Sequence, residues 1–406
     1  MPRVLLEGVT KVFSGPGGRV IRALSEVNVG IEDKECLAVV GPSGSGKTTA
    51  LRLIAGLEAP TSGTISIAGS TVNGVAPKLR DVAMVFQSPA LYPHMSVYDN
   101  LGFGLKLRRC SSQEVDRRVR EVAEMLGLTT CLASAPMGLS GGQRQRVAIG
   151  RAIVRRASVL LLDEPLANVD PTLRAQMRSE ISDLRQRFGT TMIYVTHDHL
   201  EAMMMGDRIA VLRDGQVQQV AEPQRLYNRP ANVFVAGFVG FPPMNFFKGL
   251  LVWEGLELFF EAAGPAEADG VSSQNATAAA GEARAATQWK RPEGLRLRLE
   301  ATLNPFLEGY VSKSVILGVR PEHIACGSAE FDSQAGAILR AKVLSIQTLG
   351  PDAHLTGSCG GNSFVARVPS TIRVVRDQEC AFVFDLQRVS FFDPATGNAI
   401  ELPCEC

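Results

Sequence analysis

Residues 41–48 read Gly41-Pro42-Ser43-Gly44-Ser45-Gly46-Lys47-Thr48, which fits the pattern G-x-x-x-x-G-K-T/S at every fixed position. This octet constrains the fold more than any other stretch, because it works only as a loop between a buried strand and the start of a helix. A short turn of small residues points successive backbone N–H groups inward and makes a concave anion site. The helix that follows adds its own unpaired N–H groups and the positive end of its dipole. Lys47 supplies a cation for the outer phosphates of a nucleotide. Thr48 offers a hydroxyl to Mg²⁺, a hard ion that prefers oxygen, and Thr49 beside it is a further candidate for binding the nucleotide. The flanks agree: Glu35-Cys-Leu-Ala-Val-Val-Gly41 is an apolar run ending in Gly, and Thr49-Ala-Leu-Arg-Leu-Ile-Ala-Gly56 is a helical segment stopped by Gly.

The chain has 406 residues, enough for two or three domains. Its 42 Lys+Arg against 41 Asp+Glu leave no broad basic field for nucleic acid, and five Tyr and two Trp are too few for a base-stacking surface. No charged-then-apolar leader and no apolar run of membrane-spanning length stand out, so the chain is expected to be soluble by itself while free to dock on membrane partners. Eight cysteines lie scattered without a C-x-x-C framework, which favours reduced thiols. Cys404-Glu-Cys406 reads as an incidental exposed pair ahead of a soft-metal site.

Strand-like runs at 4–13, 64–68, 82–87, 158–163 and 190–197 alternate with helical segments, which predicts a largely parallel α/β sheet to about residue 235. A helix at 112–126 opens at Ser112 and stops at Gly127; another starts with Asp170 as N-cap and Pro171 at N1 and ends at Gly189. Asp214-Gly215 predicts a hairpin turn. Beyond about 235 the texture changes to short strand-like runs, read as a small sandwich or barrel, interrupted by a loose Ala/Gly/Ser-rich segment at 262–288. His199 and His354 read as surface residues, and Met203–Met205 as helix core.

Four further segments complete the chemistry. Asp163 ends a buried strand, so its carboxylate lies at the sheet edge beside the phosphates, where it can hold Mg²⁺. Glu164 follows it, placed as a general base toward a water attacking the γ-phosphate. His197 ends another strand and is positioned to contact the γ-phosphate, polarise the site or sense the water. Gln87 offers an uncharged amide to both Mg²⁺ and water. Leu139-Ser140-Gly141-Gly142-Gln143 opens a helix and forms a second backbone anion site. Two such sites and one set of γ-phosphate oxygens suggest two copies arranged head to tail.

With these segments in this order, the chain resembles the ATP-binding subunit of an ABC transporter. The fold this implies is an α/β P-loop NTPase with a helical subdomain at about 88–155 inside a domain of residues 1–235. A small all-β OB-like (TOBE) regulatory domain follows over 236–406. The resemblance implies ATP and Mg²⁺ as cofactors, Lys47 and Thr48 at phosphate and metal, Asp163 as the metal-binding acid, Glu164 as base and His197 as the switch histidine. It implies that Ser140, Gly141, Gly142 and Gln143 grip ATP held by a second copy, with Asp170 on the loop across the seam; that loop carries Ala167 where the family more usually has Ser. Phe13 is either the aromatic that stacks on adenine or a core strand residue. Arg144 and Arg146 are either solvated charges or supports of the signature turn.

Leu91-Tyr-Pro-His-Met-Ser-Val-Tyr-Asp-Asn100, the stretch 226–247, Gly318-Val-Arg-Pro-Glu-His-Ile324 and Phe392-Asp-Pro-Ala-Thr-Gly397 resemble importer ATPases of the maltose, multiple-sugar and glycerol-phosphate type. That likeness is strongest over 1–247 and patchy over 262–310. It implies a peripheral protein on the cytoplasmic face of the membrane, two integral-membrane permease subunits, indirectly a solute-binding protein, a possible regulator at the C-terminal domain, and no nucleic acid. Importers of polyamines or metals and soluble ABC ATPases share the same core motifs.

Overall fold

The computed structural model describes residues 3–15, 20–167, 169–263, 294–327 and 337–402. The rest of the 262–288 segment beyond residue 263, and the Cys404/Cys406 pair, lie outside the described residues. The chain forms two compact units, Met1–Leu226 and Tyr227–Cys406.

The first unit is built on a six-stranded sheet. In spatial order its strands are β10 (Gln216–Ala221), β9 (Arg208–Arg213), β3 (Cys36–Val40), β8 (Thr191–Val195), β7 (Val159–Asp163) and β6 (Val82–Val85). Every pairing from β9 to β6 is parallel. All residues of β3, β7 and β8 are buried, the continuous apolar pattern of a parallel sheet covered on both faces. β9 and β10 form the hairpin expected at Asp214-Gly215, whose φ values of 49° and 77° are those of a two-residue primed turn.

A second, antiparallel sheet corrects the expectation of one parallel sheet. It runs β2 (Val20–Ile31), β1 (Val4–Ser14), β4 (Ser62–Ile67), β5 (Ser70–Thr71). β2 escaped the sequence because its pairing with β1 shifts register between Leu6 and Val9, between Val9 and Lys11, and between Lys11 and Val12. Each bulge breaks the alternation by which a strand is recognised.

The loop after β3 leads into α1 (Lys47–Ala55), bounded by Gly46 and Gly56, both left-handed. The carboxyl end of α1 is held by buried Arg80, which donates to the carbonyls of Leu53 at 2.7 Å, Ile54 at 2.8 Å and Val75 at 3.0 Å. A cation at this end of a helix also complements the dipole. The helical region comprises α2 (Val97–Leu107), α3 (Ser112–Met125) and α4 (Gly141–Ile153), whose Leu101, Val119, Val122 and Ile149 share one buried core with β7. The N-cap of α3 is Ser111, one residue before the expected Ser112 opening; its side chain accepts the Glu114 N–H. α5 (Pro171–Phe188) starts at the N-cap Asp170 and ends at left-handed Gly189, as read from the sequence. In α6 (His199–Met205) Met205 is buried but Met204 is exposed, so the methionine cluster is only partly core.

The second unit carries two antiparallel sheets. One includes β11 (Asn245–Glu254), β12 (Glu257–Ala262), β13 (Arg296–Arg298), β14 (Ser314–Val319), β20 (Val389–Phe392) and β21 (Ala399–Ile400); the other includes β15 (Ile324–Gly327), β16 (Ala337–Leu349), β17 (Asp352–Cys359), β18 (Asn362–Pro369) and β19 (Glu379–Phe384). Both supply one core rich in Phe: Phe247, Phe260, Phe364, Phe382, Phe384 and Phe391 are buried together, with Phe364 and Phe382 edge-to-face at 4.9 Å. Arg320 is buried over the Tyr227 ring at 3.6 Å and donates to the Val239 carbonyl at 2.6 Å, pinning residues 227–239 to this unit. His354 is not on the surface: it is buried in β17, with the Phe241 ring edge-on at 5.8 Å. No helix of the described residues is long and apolar enough to cross a membrane.

Replacing Arg80 by Ala removes the donor that satisfies buried carbonyls at the end of α1. Arg80→Ala is therefore expected to lower stability by roughly 1–3 kcal/mol, read as a lower urea midpoint with unchanged slope.

Candidate functional site

The phosphate loop is fixed by close backbone contacts on both sides. A Cβ on Gly46 (φ 101°) would lie 2.4 Å from the Ala23 carbonyl oxygen, and one on Gly41 would lie 2.1 Å from that of Leu212. Only glycine lets the loop approach β2 and β9 this closely. Pro42, Ser43 and Gly44 are exposed at the mouth, whereas Ser45 and Lys47 are buried. The Ser45 hydroxyl has no hydrogen-bond partner among the described residues. The Lys47 ammonium donates to the carbonyls of Gly41 at 2.8 Å and Pro42 at 2.9 Å. Burial pushes its pKa down, against the opposing pull of the Glu164 and Asp163 charges. An uncovered array of N–H groups, a buried cation and an unpaired hydroxyl suit an anionic ligand.

The acids come from the carboxyl end of β7. The Thr48 hydroxyl, on the first turn of α1, donates to Asp163 Oδ1 at 3.0 Å. Burial raises the Asp163 pKa; the Thr48 bond opposes that rise and the Glu164 charge adds to it. Glu164 is held at φ 45°, in the left-handed region, and its N–H donates to the Val195 carbonyl at 3.0 Å. A non-glycine residue there is strained, and the Glu164 charge still acts on both Asp163 and Lys47. The Glu164 Oε2 accepts from Gln87 Nε2 at 3.1 Å and lies 3.3 Å from His197 Nδ1. Gln87 and His197 are exposed, so one carboxylate gathers an amide and an imidazole at an open edge.

The Thr48 hydroxyl and the Asp163 carboxylate offer hard oxygens of the kind Mg²⁺ takes when phosphates complete its shell, and the Gln87 amide lies nearby on Glu164. Among the described residues no group of three or more His, Cys, Asp or Glu could hold a metal.

Ser140 and Gln143 form a reciprocal cap at the start of α4: Gln143 N–H donates to Ser140 Oγ at 3.2 Å and Ser140 N–H to Gln143 Oε1 at 2.9 Å. A Cβ on Gly141 would meet nothing within 4 Å, whereas one on Gly142 would clash with Leu173 at 2.2 Å. Arg144 supports this turn by donating to the Leu139 carbonyl at 2.7 Å, and Arg146 pairs with Glu180 at 2.9 Å. Asp170 is exposed and caps α5 through Thr172 N–H at 3.0 Å. The fold thus brings residues 41–48, Asp163, Glu164, Gln87 and His197 together. No hydrogen bond or ion pair among the described residues joins Ser140–Gln143 or Asp170 to them. Phe13 is half-buried on β1, and the Lys11 ammonium covers its ring at 4.6 Å.

This strand–loop–helix anion site beside an acid pair defines a nucleotide-hydrolysing cassette. Residues 24–167 match the family described as ABC transporter, and residues 317–392 the TOBE domain. The chain is 44% identical to the trehalose/maltose import ATP-binding protein of Thermococcus litoralis, over 98% of this chain and 100% of that one. It is 44% identical to the oligosaccharides import ATP-binding protein of Bacillus subtilis, over 92% of this chain and 94% of that one. It is 42% identical to an sn-glycerol-3-phosphate import ATP-binding protein of Cupriavidus pinatubonensis, over 99% and 100%. Among solved structures, a dimeric ATP-binding cassette in a post-hydrolysis state with ADP and Pi superposes with a TM-score of 0.50 at 32% identity, covering 54% of this chain and 98% of that one. The chain belongs to the ABC transporter ATP-binding family, as an ATPase with a C-terminal TOBE domain.

Because burial raises the Asp163 pKa above its ordinary value of 3.8 in the folded chain, folding favours the neutral carboxyl, and stability is lost as pH rises through the raised value. Without divalent ions, Asp163→Asn should therefore melt higher than the parent at pH 7. The gap should close as pH falls toward 3.8, as read by thermal unfolding across pH.

Proposed function

We propose that this chain binds and hydrolyses ATP to drive a membrane importer for a carbohydrate or a glycerol phosphate. The observation that carries the hydrolytic reading is Glu164: a carboxylate turned out of the sheet edge by left-handed backbone, 3.3 Å from His197 and 3.1 Å from Gln87, next to the Thr48–Asp163 pair. The cargo class follows the three relatives' names and rests on identity over nearly the whole length.

In this reading the N–H groups of residues 41–48 and the Lys47 ammonium hold the β- and γ-phosphates, with Thr49 on the same helix turn, and Phe13 lies against the adenine. Thr48, Asp163 and Gln87 would hold Mg²⁺, which would supply positive charge against the charge developing on the phosphates. Glu164 accepts the proton of the attacking water. His197 and Gln87 hold that carboxylate and the water in line with the γ-phosphorus. Lys47 stabilises the charge spread over the equatorial oxygens.

Ser140, Gly141, Gly142 and Gln143 act on ATP held by a second copy, arranged head to tail, with Asp170 at the seam. Two features support this: the signature turn is capped and open yet makes no bond to the phosphate loop of its own chain, and the solved cassette is dimeric. The partners are then two permease subunits and, through them, a solute-binding protein. The protein is peripheral on the cytoplasmic face, and the second unit is open to a regulator.

Glu164→Gln is expected to keep ATP binding and ATP-driven dimerisation while slowing turnover roughly 10²-fold or more; equal turnover would remove Glu164 as the base. Lys47→Ala should instead weaken nucleotide binding, measured by titration with a fluorescent ATP analogue. Purification from native membranes tests the transport reading: two multi-span permeases and a sugar- or glycerol-phosphate-binding protein are expected with the chain. Recovery alone, with ATPase activity intact, would overturn it.

A further inference from the structure

Val195, Thr196 and Asp198 surround His197 with fixed backbone. The Val195 carbonyl accepts from Glu164 N–H at 3.0 Å, and Thr196 N–H donates to the Val39 carbonyl at 3.1 Å. Asp198 caps α6, its Oδ1 accepting from Leu200 N–H at 2.9 Å and Glu201 N–H at 3.3 Å. The link between the two sides is the Thr196 hydroxyl, 2% exposed as a residue, which donates to Glu201 Oε2 at 2.5 Å and accepts from Asp198 N–H at 3.1 Å. Glu201 is itself 5% exposed. The imidazole between these anchors is mostly in solvent and meets the Glu164 carboxylate at 3.3 Å.

We infer that Glu201, acting through the Thr196 hydroxyl, is a positioning residue for His197, tying the first turn of α6 back to the end of β8 so that the imidazole stays within reach of Glu164. This rests on the reading of Glu164 and His197 given above. The N-cap of α6 alone would fix where the helix starts, not how far that start lies from the strand. The Thr196–Glu201 bond sets that distance. A buried carboxyl is a costly way to make a purely structural contact, because the neighbouring Ala202 and Met205 already pack α6 by apolar burial. The Tyr194 hydroxyl is buried in the same region, where burial first and then the Glu201 carboxylate beside it push its pKa well up. The polar groups are concentrated beside the histidine, where a hydrogen bond of fixed length and direction holds geometry in a way that apolar packing does not.

The test is steady-state ATP hydrolysis by the purified full-length chain with Mg·ATP. Glu201→Ala should lower kcat by roughly 10- to 10²-fold while the KM for ATP changes less than about 2-fold. Glu201→Gln keeps an oxygen acceptor for Thr196 and should recover most of that loss. Thr196→Val should reproduce the fall and Thr196→Ser should recover it; this pair carries the test if Glu201→Ala does not fold. Combined with His197→Ala, Glu201→Ala should add no further loss. A full additive loss in that background, or parental kcat in Glu201→Ala and Thr196→Val beside a slow His197→Ala, overturns the positioning role alone. Parental turnover in His197→Ala overturns the assignment of the histidine and this inference with it.

Discussion

A buried ammonium sits at the carboxyl end of a parallel sheet, and much of the first unit is arranged around it. Lys47 is held by two carbonyls of its own loop and faces the acids of β7, and burial works against its charge. Such a group is tolerated only where the loop geometry is enforced from outside. That enforcement comes from the close approach of the Ala23 and Leu212 carbonyls to Gly46 and Gly41, and at the far end of α1 from Arg80. The antiparallel sheet that contributes Ala23 is thus part of the site's construction, although none of its strands carries a catalytic group.

The two adjacent acids show how one strand end can host two chemistries. Asp163 is still in the sheet, buried, with a raised pKa and a hydroxyl partner, which suits a ligand to a hard cation. One residue later the backbone turns left-handed, and Glu164 faces an open edge with an amide and an imidazole for neighbours. A regular continuation of the strand would send successive side chains to opposite faces of the sheet; the left-handed turn at Glu164 instead keeps its charge within reach of Asp163 and Lys47.

Much of this was legible in the residues themselves. The octet at 41–48, the acid pair after an apolar run, Asp170-Pro171 as a helix start and Asp214-Gly215 as a hairpin each depend on local rules, and each lies where those rules put it. What was not legible depends on tertiary neighbours. β2 was hidden by three register shifts against β1. His354 looks polar in sequence but is covered by Phe241, which is distant in the chain. Arg144 and Arg146 were equivalent on paper, yet one binds a carbonyl of the signature turn and the other pairs with Glu180. The Thr196–Glu201 bond had no sequence signal beyond its spacing, because any Thr and Glu five apart across a strand-to-helix turn would look the same.

The signature turn raises a question of completeness that one chain does not answer by itself. Its N-cap is satisfied reciprocally by Ser140 and Gln143, Gly141 faces open space, and Arg144 braces it from behind. A turn so fully supported on its inner side, and so bare on its outer side, is built to present N–H groups to something else. Ser43 and Gly44 are likewise exposed at the mouth of the phosphate loop. Two self-supported anion surfaces on one chain are used together if a second copy supplies the other half by two-fold symmetry, so that one contact pattern, repeated, completes both nucleotide sites. Hydrolysis in such an arrangement removes the phosphate that both surfaces hold. On the reading proposed for Glu164, its local chemistry would become a change in the equilibrium between closed and open pairs, which is the form of work an importer requires.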